Sequence, residues 1–505
     1  MLATDFLFFY EFMKYILNPY YLLRNDVKRA AICSQDVNHC SAIDVSNNWL
    51  SFIHPIYAML LSFFSVPIEL SVAIENIAFF FNFTKEYTDQ LIQNFIENSE
   101  PFHTHYKNFD NDFPKNIIVR ADIIQGQTIV YQYHPKDFIY TDIDLHSRRL
   151  YKAPLYVTFM ISNKCLTNCI YCYADRYTNC KELDFSRVES IIDDACQSKI
   201  VSFNIDGGEF FLYPRWQELL EKLKDCNYLP EIISTKYPMD IDMIKDFSKF
   251  GINLQVSFDS VAQDTLDNMV GRINNYSARM KAALKNIDQV MSFQVATILT
   301  KYNGSIQEME KMYTFLSTLH NVRRWEVRVG FKSLYSKKKF EDIQISRSSI
   351  EEIQHWIKDK QSSSKFEILW SPGKEVSFFK AKHGSADFVG SLCSANSLHM
   401  FILPDGKVTI CEQLYWNKNF LIGDLAKMSI SEVWNSPRAL YLAHRQRNDY
   451  SSDSYCHKCK IFDTCKANLN DCFPNIMKVY GKEHWDYPDP RCDKAPKNIS
   501  DKIYV

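Results

Sequence analysis

Six strand-like runs alternate with helical patterns between residues 155 and 330, and this alternation constrains the fold more than any other feature. Strands that alternate with helices form a parallel sheet with right-handed crossovers. Six such units are too few to close an eight-fold barrel. We therefore predict an α/β fold, a partial (β/α)6 barrel, for this part of the chain. The strand-like runs lie at 155–161, 201–205, 230–235, 253–258, 292–299 and 323–330.

Three cysteines follow the first of these runs in a C-x3-C-x2-C pattern, at Cys165, Cys169 and Cys172. Three thiolates on one short loop can hold three irons of a 4Fe–4S cluster and leave the fourth iron open. An open iron is a place where a small molecule can chelate and be reduced. The alternatives are a zinc knuckle or three buried thiols, although zinc usually takes four closed ligands.

Small and polar residues stand where the later strands end. Ligands of parallel α/β domains bind at the carboxyl ends of the strands, so these residues are candidate ligand contacts. The alternative is that they are turn or capping residues, and that the arginine is a salt-bridge partner. The candidates are Gly207, Gly208 and Glu209 after the second strand, Ser234 and Thr235 at the third, Ser257 and Asp259 at the fourth, and Arg328 on the sixth.

The C-terminal region is rich in cysteine. Asp405-Gly406 predicts a hairpin between strand-like residues 399–403 and 408–410, so cysteines on either side can face one site. A zinc ribbon is the alternative. The remaining thiols, among them Cys196 and Cys226, lack ligand spacing and read as small hydrophobic residues. The spaced cysteines are Cys393, Cys411, Cys456, Cys459, Cys465, Cys472 and Cys492.

The first three cysteines and the Gly207-Gly208-Glu209 turn resemble the radical S-adenosylmethionine (SAM) enzymes. The resemblance implies that Cys165, Cys169 and Cys172 hold the cluster, whose open iron binds SAM, and that one electron cleaves SAM to a 5′-deoxyadenosyl radical. It further implies that the glycine–glutamate turn holds the SAM amino group and that Tyr171 packs on adenine. Phe210 departs from the family, which often has proline there. By position, Ser234, Thr235, Ser257 and Asp259 resemble contacts to the SAM carboxylate and ribose, and Arg328 is a further candidate.

The C-terminal cysteines resemble the SPASM extension, which carries auxiliary 4Fe–4S clusters. One spacing departs from its pattern, since six residues instead of three separate Cys465 from Cys472. Many members also have a cysteine where this chain has Asp387. We therefore expect the first auxiliary cluster to have a non-cysteine ligand such as Asp387, or an open iron. The resemblance assigns Cys393, Cys411 and Cys472 to the first cluster and Cys456, Cys459, Cys465 and Cys492 to the second.

The first 105 residues predict a hairpin, at 20–24 and 29–34, followed by helices near 54–65, 68–80 and 84–98, the last capped by Thr84. This winged-helix-like order resembles the recognition element of enzymes that modify ribosomally made peptides (RiPPs). Winged helices also bind DNA, but residues 1–100 hold five Lys and Arg against eleven Asp and Glu, which opposes that function. An acidic domain with an exposed strand suits a peptide that adds a strand. A structural cap that binds nothing is the alternative.

Global composition excludes several other classes. The formal net charge of −2 provides no general attraction for nucleic acid or an anionic membrane. We find no signal peptide and no clean run of 18 apolar residues, so we expect a cytoplasmic protein without a spanning helix. The predicted domains are 1–105 for peptide recognition, 106–150 as a linker with strands, 151–335 for the barrel, 336–388 as a helical bridge and 389–505 for the SPASM region.

Together these resemblances imply an oxidoreductase that modifies a ribosomally made peptide by a thioether, carbon–carbon or carbon–oxygen cross-link. Its expected partners are a precursor peptide, bound through its leader, and an electron donor of the flavodoxin or ferredoxin type. A sulfatase-type formylglycine-generating maturase is an alternative within the same enzyme class. An iron–sulfur electron-transfer or sensor protein is an alternative of another class, although such a protein needs no SAM site.

Overall fold

The chain packs as two compact units in a computed structural model that describes residues 13–35, 44–124, 130–372, 393–466, 471–492 and 494–496. The first unit comprises Met1–Tyr156 and Gln197–Ser202, and the second comprises Val157–Cys196 and Phe203–Val505. Each unit is described below by itself.

In its described residues the first unit contains three small antiparallel sheets and three helices, which include the predicted hairpin and the three predicted helices. Strand order is β2-β3-β4 in one sheet, β5-β1-β8 in the second and β6-β7 in the third. The Thr84 hydroxyl accepts from the Tyr87 amide at 3.2 Å and begins α3, as expected. The elements are β1 (Lys14–Leu17), β2 (Tyr21–Asn25), β3 (Ala30–Ser34), β4 (Leu50–Ile53), α1 (Pro55–Leu61), β5 (Ile68–Glu69), α2 (Leu70–Phe81), α3 (Lys85–Gln93), β6 (Phe102–Tyr106), β7 (Phe109–Phe113) and β8 (Ile118–Arg120).

Residues 106–150, which we expected to link domains, contribute to the core of the first unit. Phe113 and Ile118 are fully buried in the same cluster as Tyr15 and Leu61. The sequence of this segment predicts strands at 116–124 and 128–133. The first is confined to β8 and 130–133 is not a strand, while 125–129 lie outside the described residues. The β6–β7 hairpin was not predicted because its polar FHTHYKNFDNDF sequence buries little on its outer face.

A buried ion pair fastens the β2–β3 turn to the end of the first unit. Asp26 accepts from Arg29 Nε at 3.0 Å, and both side chains are buried. The other carboxylate oxygen of Asp26 accepts from the amides of Tyr151 and Lys152 at 2.7 and 2.9 Å. A buried charge needs such partners to offset its desolvation, so the turn and residues 151–152 are held in one arrangement.

The second unit contains all six predicted barrel strands, and its α/β class is confirmed. Strands β11 to β15 form a parallel sheet in sequence order. The barrel elements are β9 (Tyr156–Met160), α4 (Phe185–Gln197), β10 (Ser202–Asp206), α5 (Trp216–Asp225), β11 (Ile232–Thr235), α6 (Ile241–Ser248), β12 (Asn253–Ser257), α7 (Gln263–Val270), α8 (Tyr276–Val290), β13 (Phe293–Leu299), α9 (Ile306–Leu316), β14 (Val322–Val329), α10 (Arg347–Gln361) and β15 (Glu367–Ser371).

The structure refines the predicted sheet in two ways. Strand β15 extends it beyond β14, although the sequence there reads as polar and helical; only α10 was expected. The six barrel strands also do not form one continuous sheet. Strands β9 and β10 belong to a separate sheet of order β10-β9-β16-β17-β18. The barrel edge strand β9 is therefore paired with a strand from the cysteine-rich region.

The cysteine-rich region opens with the hairpin predicted around Asp405-Gly406. Phe401 pairs with Thr409 across it, and Gly406 takes a φ of +85°, which favours glycine. No helix in the described ranges is both long and apolar enough to cross a membrane. The elements are β16 (His399–Ile402), β17 (Lys407–Thr409), β18 (Leu421–Asp424), α11 (Ile430–Trp434), α12 (Pro437–Ala443), α13 (Phe462–Lys466) and α14 (Phe473–Tyr480). Short 3-10 turns lie at Ser62–Phe64, Ala121–Ile123, Pro135–Phe138, Phe210–Leu212, Phe340–Asp342, Arg447–Asp449, Tyr455–Lys458 and Lys482–His484.

Candidate active site

A cavity of about 360 Å³ in the second unit collects the loop after β9 and the carboxyl ends of β10 to β14. This is the edge at which parallel α/β domains bind ligands. All but one of the predicted SAM-site residues line it, and Asp259 is the exception. The predicted residues on its wall are Cys165, Cys169, Tyr171, Cys172, Gly207, Gly208, Glu209, Ser234, Thr235, Ser257 and Arg328.

The loop with the three cysteines is held by hydrogen bonds to α7 and by hydrogen bonds within the loop. Its Asn168 and Ile170 amides donate to main-chain oxygens at the end of α7, at 2.7 and 2.9 Å. The Thr167 hydroxyl lies 3.4 Å from Cys165 Sγ and 3.2 Å from Cys169 Sγ. These hydrogen bonds therefore fix the positions of the thiols at the cavity.

The three thiols of the loop can each bind a different iron of a cluster. In the described part of the chain, no three His, Cys, Asp or Glu side chains converge on one point as a zinc site requires. A cluster does not need such convergence, since each thiolate binds a different iron. Burial raises the pKa of Cys169 and raises that of Cys172 to about 11, so ionised thiolates here need a cation beside them. Cluster irons would supply that positive charge.

Gly208 brings the second strand against the cysteine loop. Its amide donates to Ser162 O at 2.7 Å, and the next amide, of Glu209, donates to Lys164 O at 2.8 Å. A Cβ at position 208 would lie 2.2 Å from Lys164 O, the carbonyl that immediately precedes Cys165. Only glycine allows this approach, so the turn sets where the cysteine loop begins.

The Glu209 carboxylate is used within the protein. The side chain is 3% exposed and accepts from the Thr235 hydroxyl at 2.7 Å and from the Phe211 and Lys236 amides at 3.3 and 2.8 Å. Burial raises the pKa of Glu209. These bonds join the ends of β10 and β11, which share no main-chain ladder. The Glu209 carboxylate and the Thr235 hydroxyl thus support the cavity wall.

Lys236, which the sequence analysis missed, lies at the centre of a buried polar group. Its ammonium donates to Asp259 at 2.7 Å, and the Tyr171 hydroxyl donates to the same carboxylate oxygen at 2.5 Å. The Ile298 amide binds the other oxygen at 2.9 Å. Burial opposes the charge of Lys236, yet the Asp259 carboxylate raises its pKa. Asp259 therefore positions Tyr171 from behind the cavity wall; a SAM contact by Asp259 stays a prediction.

The other predicted contacts are available to a ligand. The hydroxyls of Ser234 and Ser257 lie 3.2 Å apart, and Gln255 donates to Ser234 at 3.1 Å. Arg328 pairs with Glu326 at 2.5 Å while it lines the cavity. Arg328 can therefore be both a site residue and an ion-pair partner of Glu326.

Two carboxyl groups beside the cavity can accept or hold a proton. Asp206 lines the cavity, accepts from the Gly207 amide at 2.7 Å and lies 3.5 Å from the Tyr173 hydroxyl. Burial raises the pKa of Asp206, and enclosure together with the Asp206 charge raises that of Glu412. We named no base from the sequence, although the position of Asp206 directly before Gly207 was a usable signal.

Some of the C-terminal cysteines that were predicted to share a cluster lie near one another. Cys393 and Cys472 lie near enough to Cys411 for their charges to raise its pKa, after burial. Burial raises the pKa of Cys456 to about 12, with a contribution from Cys492, and Cys459 adds to the raised pKa of Cys465. The predicted ligand Asp387 lies outside the described residues. The assignment of each set to one cluster stays a prediction.

Comparison with known families resolves the fold of the site. The Radical SAM superfamily model matches residues 159–316, which hold the three-cysteine loop and the glycine–glutamate turn, and the SPASM iron-sulfur cluster-binding domain model matches residues 393–460. This chain contains a radical SAM domain and a SPASM domain. The predicted cofactors, 4Fe–4S clusters and S-adenosylmethionine, are confirmed as those of these two domains.

Individual relatives of this radical SAM protein extend the comparison. It is 21% identical over 324 residues to "Antilisterial bacteriocin subtilosin biosynthesis protein AlbA" of Bacillus subtilis, covering 62% of this chain and 67% of that protein. Its fold is similar to that of SuiB from Streptococcus suis. The SuiB structure with S-adenosylmethionine gives a TM-score of 0.57 at 15% identity over 94% of this chain and 99% of SuiB. The SuiB structure with precursor peptide SuiA gives 0.58 at 15% identity over 94% and 98%.

Proposed function

We propose that this protein is a radical SAM oxidoreductase that forms a cross-link within a ribosomally made peptide. The observation that carries the proposal is the cavity that joins the three-cysteine loop, the glycine–glutamate turn and the strand ends. Its relatives support the kind of substrate, since AlbA is a bacteriocin biosynthesis protein and SuiB has been solved with its precursor peptide.

When bound, the cluster supplies one-electron cleavage of SAM to a 5′-deoxyadenosyl radical. The chain's residues place the reactants for that step. Gly208 fixes the start of the cysteine loop, and Asp259 with Lys236 holds Tyr171 against the cavity. The hydroxyls of Ser234 and Ser257, the Arg328 guanidinium and the main-chain atoms of the glycine turn line the cavity and can orient SAM.

Formation of one new bond within the peptide removes two hydrogens. One leaves as an atom, taken up by the deoxyadenosyl group, and the other leaves as a proton and an electron. Asp206, which lines the cavity, and Glu412, whose pKa the Asp206 charge helps to raise, are the candidate proton acceptors, since both are carboxyl groups with raised pKa values. The set Cys393, Cys411 and Cys472 would hold the group that accepts the electron. Thioether, carbon–carbon and carbon–oxygen bonds all satisfy this balance.

The first unit is proposed to capture the leader of the peptide. The order of the sheet β2-β3-β4 followed by α1, α2 and α3 supports this role, as does the acidic balance of residues 1–100. Capture of the leader raises the effective concentration of the peptide core near the cavity. We place the reaction in the cytoplasm, with a flavodoxin- or ferredoxin-type protein as electron donor.

Anoxic co-expression with a short peptide encoded beside this gene tests the proposal by accurate mass. We expect a loss of two hydrogens from the peptide, and we expect this loss and 5′-deoxyadenosine formation to disappear in Cys169→Ala. Cys226→Ala, a half-exposed thiol outside the three cysteine sets, is the control and should keep both. Deoxyadenosine formation by Cys169→Ala would contradict the proposal.

A further inference from the structure

The loop that follows β14 carries four lysines within eight residues, at Lys332, Lys337, Lys338 and Lys339. The last three are consecutive and exposed. Within the described ranges, none of these three ammonium groups is paired with a carboxylate. In a chain whose formal net charge is −2, this loop is a local concentration of positive charge.

The lysine loop is fastened to the loop that carries the three cysteines. The Ser336 hydroxyl donates to Ile170 O at 2.7 Å, between Cys169 and Cys172 in the sequence. Lys337 Nζ lies 3.9 Å from the centroid of the Tyr177 ring, just beyond the same cysteine loop. A second cavity of about 270 Å³ is lined by Tyr171 and by all four lysines of the lysine loop.

The lysine loop is also ordered by its own hydrogen bonds. Ser333 Oγ accepts from the Tyr335 and Ser336 amides at 3.0 and 3.2 Å, and Ser336 Oγ accepts from the Lys338 amide at 3.1 Å. The backbone at Lys337 to Lys339 is therefore already ordered, so little backbone entropy is lost when a partner binds this loop.

We propose that the lysine loop is the docking surface for an acidic electron carrier of the flavodoxin type. The carrier passes one electron to the cluster at Cys165, Cys169 and Cys172 and is itself oxidised by one electron. Electrostatic complementarity steers such partners and gives the small, short-lived interfaces typical of redox pairs. The inference rests on the proposed function, because only a cluster that must be reduced requires a carrier.

An acidic segment of the substrate peptide is the competing occupant. None of the four lysines lines the cavity that holds the predicted SAM contacts, where the peptide has to react. Instead Lys337 lies over the ring of Tyr177, just beyond the cysteine loop, and the adjacent Ser336 binds Ile170 O within that loop. This placement favours a protein that delivers an electron to the loop over a peptide that enters the cavity.

The test compares two triple charge reversals in the full chain. The first is Lys337→Glu/Lys338→Glu/Lys339→Glu; the control is Lys224→Glu/Lys245→Glu/Lys285→Glu, at three exposed lysines on barrel helices. We would measure affinity for a bacterial flavodoxin by surface plasmon resonance at two salt concentrations. We would also measure 5′-deoxyadenosine formation driven by flavodoxin with its reductase and NADPH, and separately by dithionite.

We expect the lysine-loop variant to bind flavodoxin roughly tenfold more weakly and to lose most of the salt dependence of binding, because its charges no longer attract the carrier. Its flavodoxin-driven rate should fall while its dithionite-driven rate equals that of the wild type. Unchanged flavodoxin affinity would overturn the inference. So would a loss of peptide affinity with flavodoxin binding intact. Failure of the wild type with dithionite would instead overturn the proposed function.

Discussion

At the scale of single residues, the site depends on a few close approaches that leave no room for change. Gly208 packs against the carbonyl that precedes Cys165. The Glu209 carboxylate accepts a hydrogen bond from Thr235 on the neighbouring strand. The positions of the cluster ligands therefore depend on Gly208 and Glu209, which are not cluster ligands themselves.

Gly208→Ala is expected to lower iron loading of the radical SAM site. The new Cβ would lie 2.2 Å from Lys164 O, a main-chain atom, so the cysteine loop has to shift. We would measure SAM binding and iron per protein after anoxic reconstitution. Gly251→Ala is the control, because its Cβ meets nothing within 4 Å and only its φ of +70° costs about 1 kcal/mol. Equal SAM binding by the two variants would contradict the argument.

His54 predicts a pH effect on the first unit. It is 7% exposed, and its Nδ1 accepts from the Ile56 amide at 3.2 Å as the N-cap of α1. Burial, with the Lys107 charge, lowers the pKa of His54 from 6.5 to about 4. Between these two pKa values, His54 is therefore protonated in the unfolded chain and neutral in the folded chain. The stability due to neutral His54 is complete above pH 6.5 and declines as pH falls from 6.5 toward 4.

From pH 7.5 to pH 5.5 we expect the opening free energy of α1 to drop by about 1 kcal/mol because of His54. Hydrogen exchange of peptides from this helix, corrected for intrinsic rates, measures it. His54→Asn keeps a capping side chain without the titration and should remove the drop. His105→Asn, at an exposed histidine of β6, should not. If both variants show the same pH response, the drop in opening free energy is not caused by His54.

At the scale of elements, hydrophobic periodicity and residue spacing were sufficient to predict most of the barrel strands and turns. All six barrel strands and the Asp405-Gly406 hairpin are found because apolar runs and turn residues mark them locally. The β6–β7 hairpin, β15 and the pairing of β9 with β16 were missed, because their partners are chosen by tertiary contacts. Lys236 was missed for the same reason: nothing in a lysine after a strand indicates a buried carboxylate at position 259.

The two sets of C-terminal cysteines predict separable iron sites. Cys456→Ala/Cys465→Ala removes two thiolates from one set only. We expect iron per protein to fall by roughly a third, with dithionite-driven SAM cleavage retained, since three clusters of equal size are predicted. Mössbauer spectroscopy would follow the change. Cys196→Ala/Cys226→Ala, outside the sets, should leave the iron content unaltered. Loss of the signals of both auxiliary clusters would show that the sets are not independent.

At the scale of the whole molecule, the chain is two units with separate cores. The first unit buries its own aromatic and aliphatic cluster and ties its last residues to the β2–β3 turn through Asp26. A truncation at residue 105, as the predicted domain boundary suggests, would cut through β6 and expose Phe113 and Ile118. Point variants are therefore better probes of its role than deletions.

We expect peptide capture to be independent of cluster loading. Cys165→Ala/Cys169→Ala/Cys172→Ala should bind the precursor peptide within about twofold of the wild-type affinity, because the core of the first unit contains none of these residues. Fluorescence anisotropy of a labelled leader peptide would measure this, with a scrambled leader as control. A large loss of affinity in the triple variant would mean that the first unit is not sufficient for capture.

The pairing of β9 with β16 has a consequence for how such enzymes diversify. A cysteine-rich domain joined only by a linker could be exchanged between relatives like a cassette. Here the incoming domain would also have to bring a strand whose register matches the barrel's edge, beside Thr158 and His399, which hydrogen-bond at 2.9 Å. Recombination that ignores this seam would leave an unpaired strand edge and an aggregating chimaera.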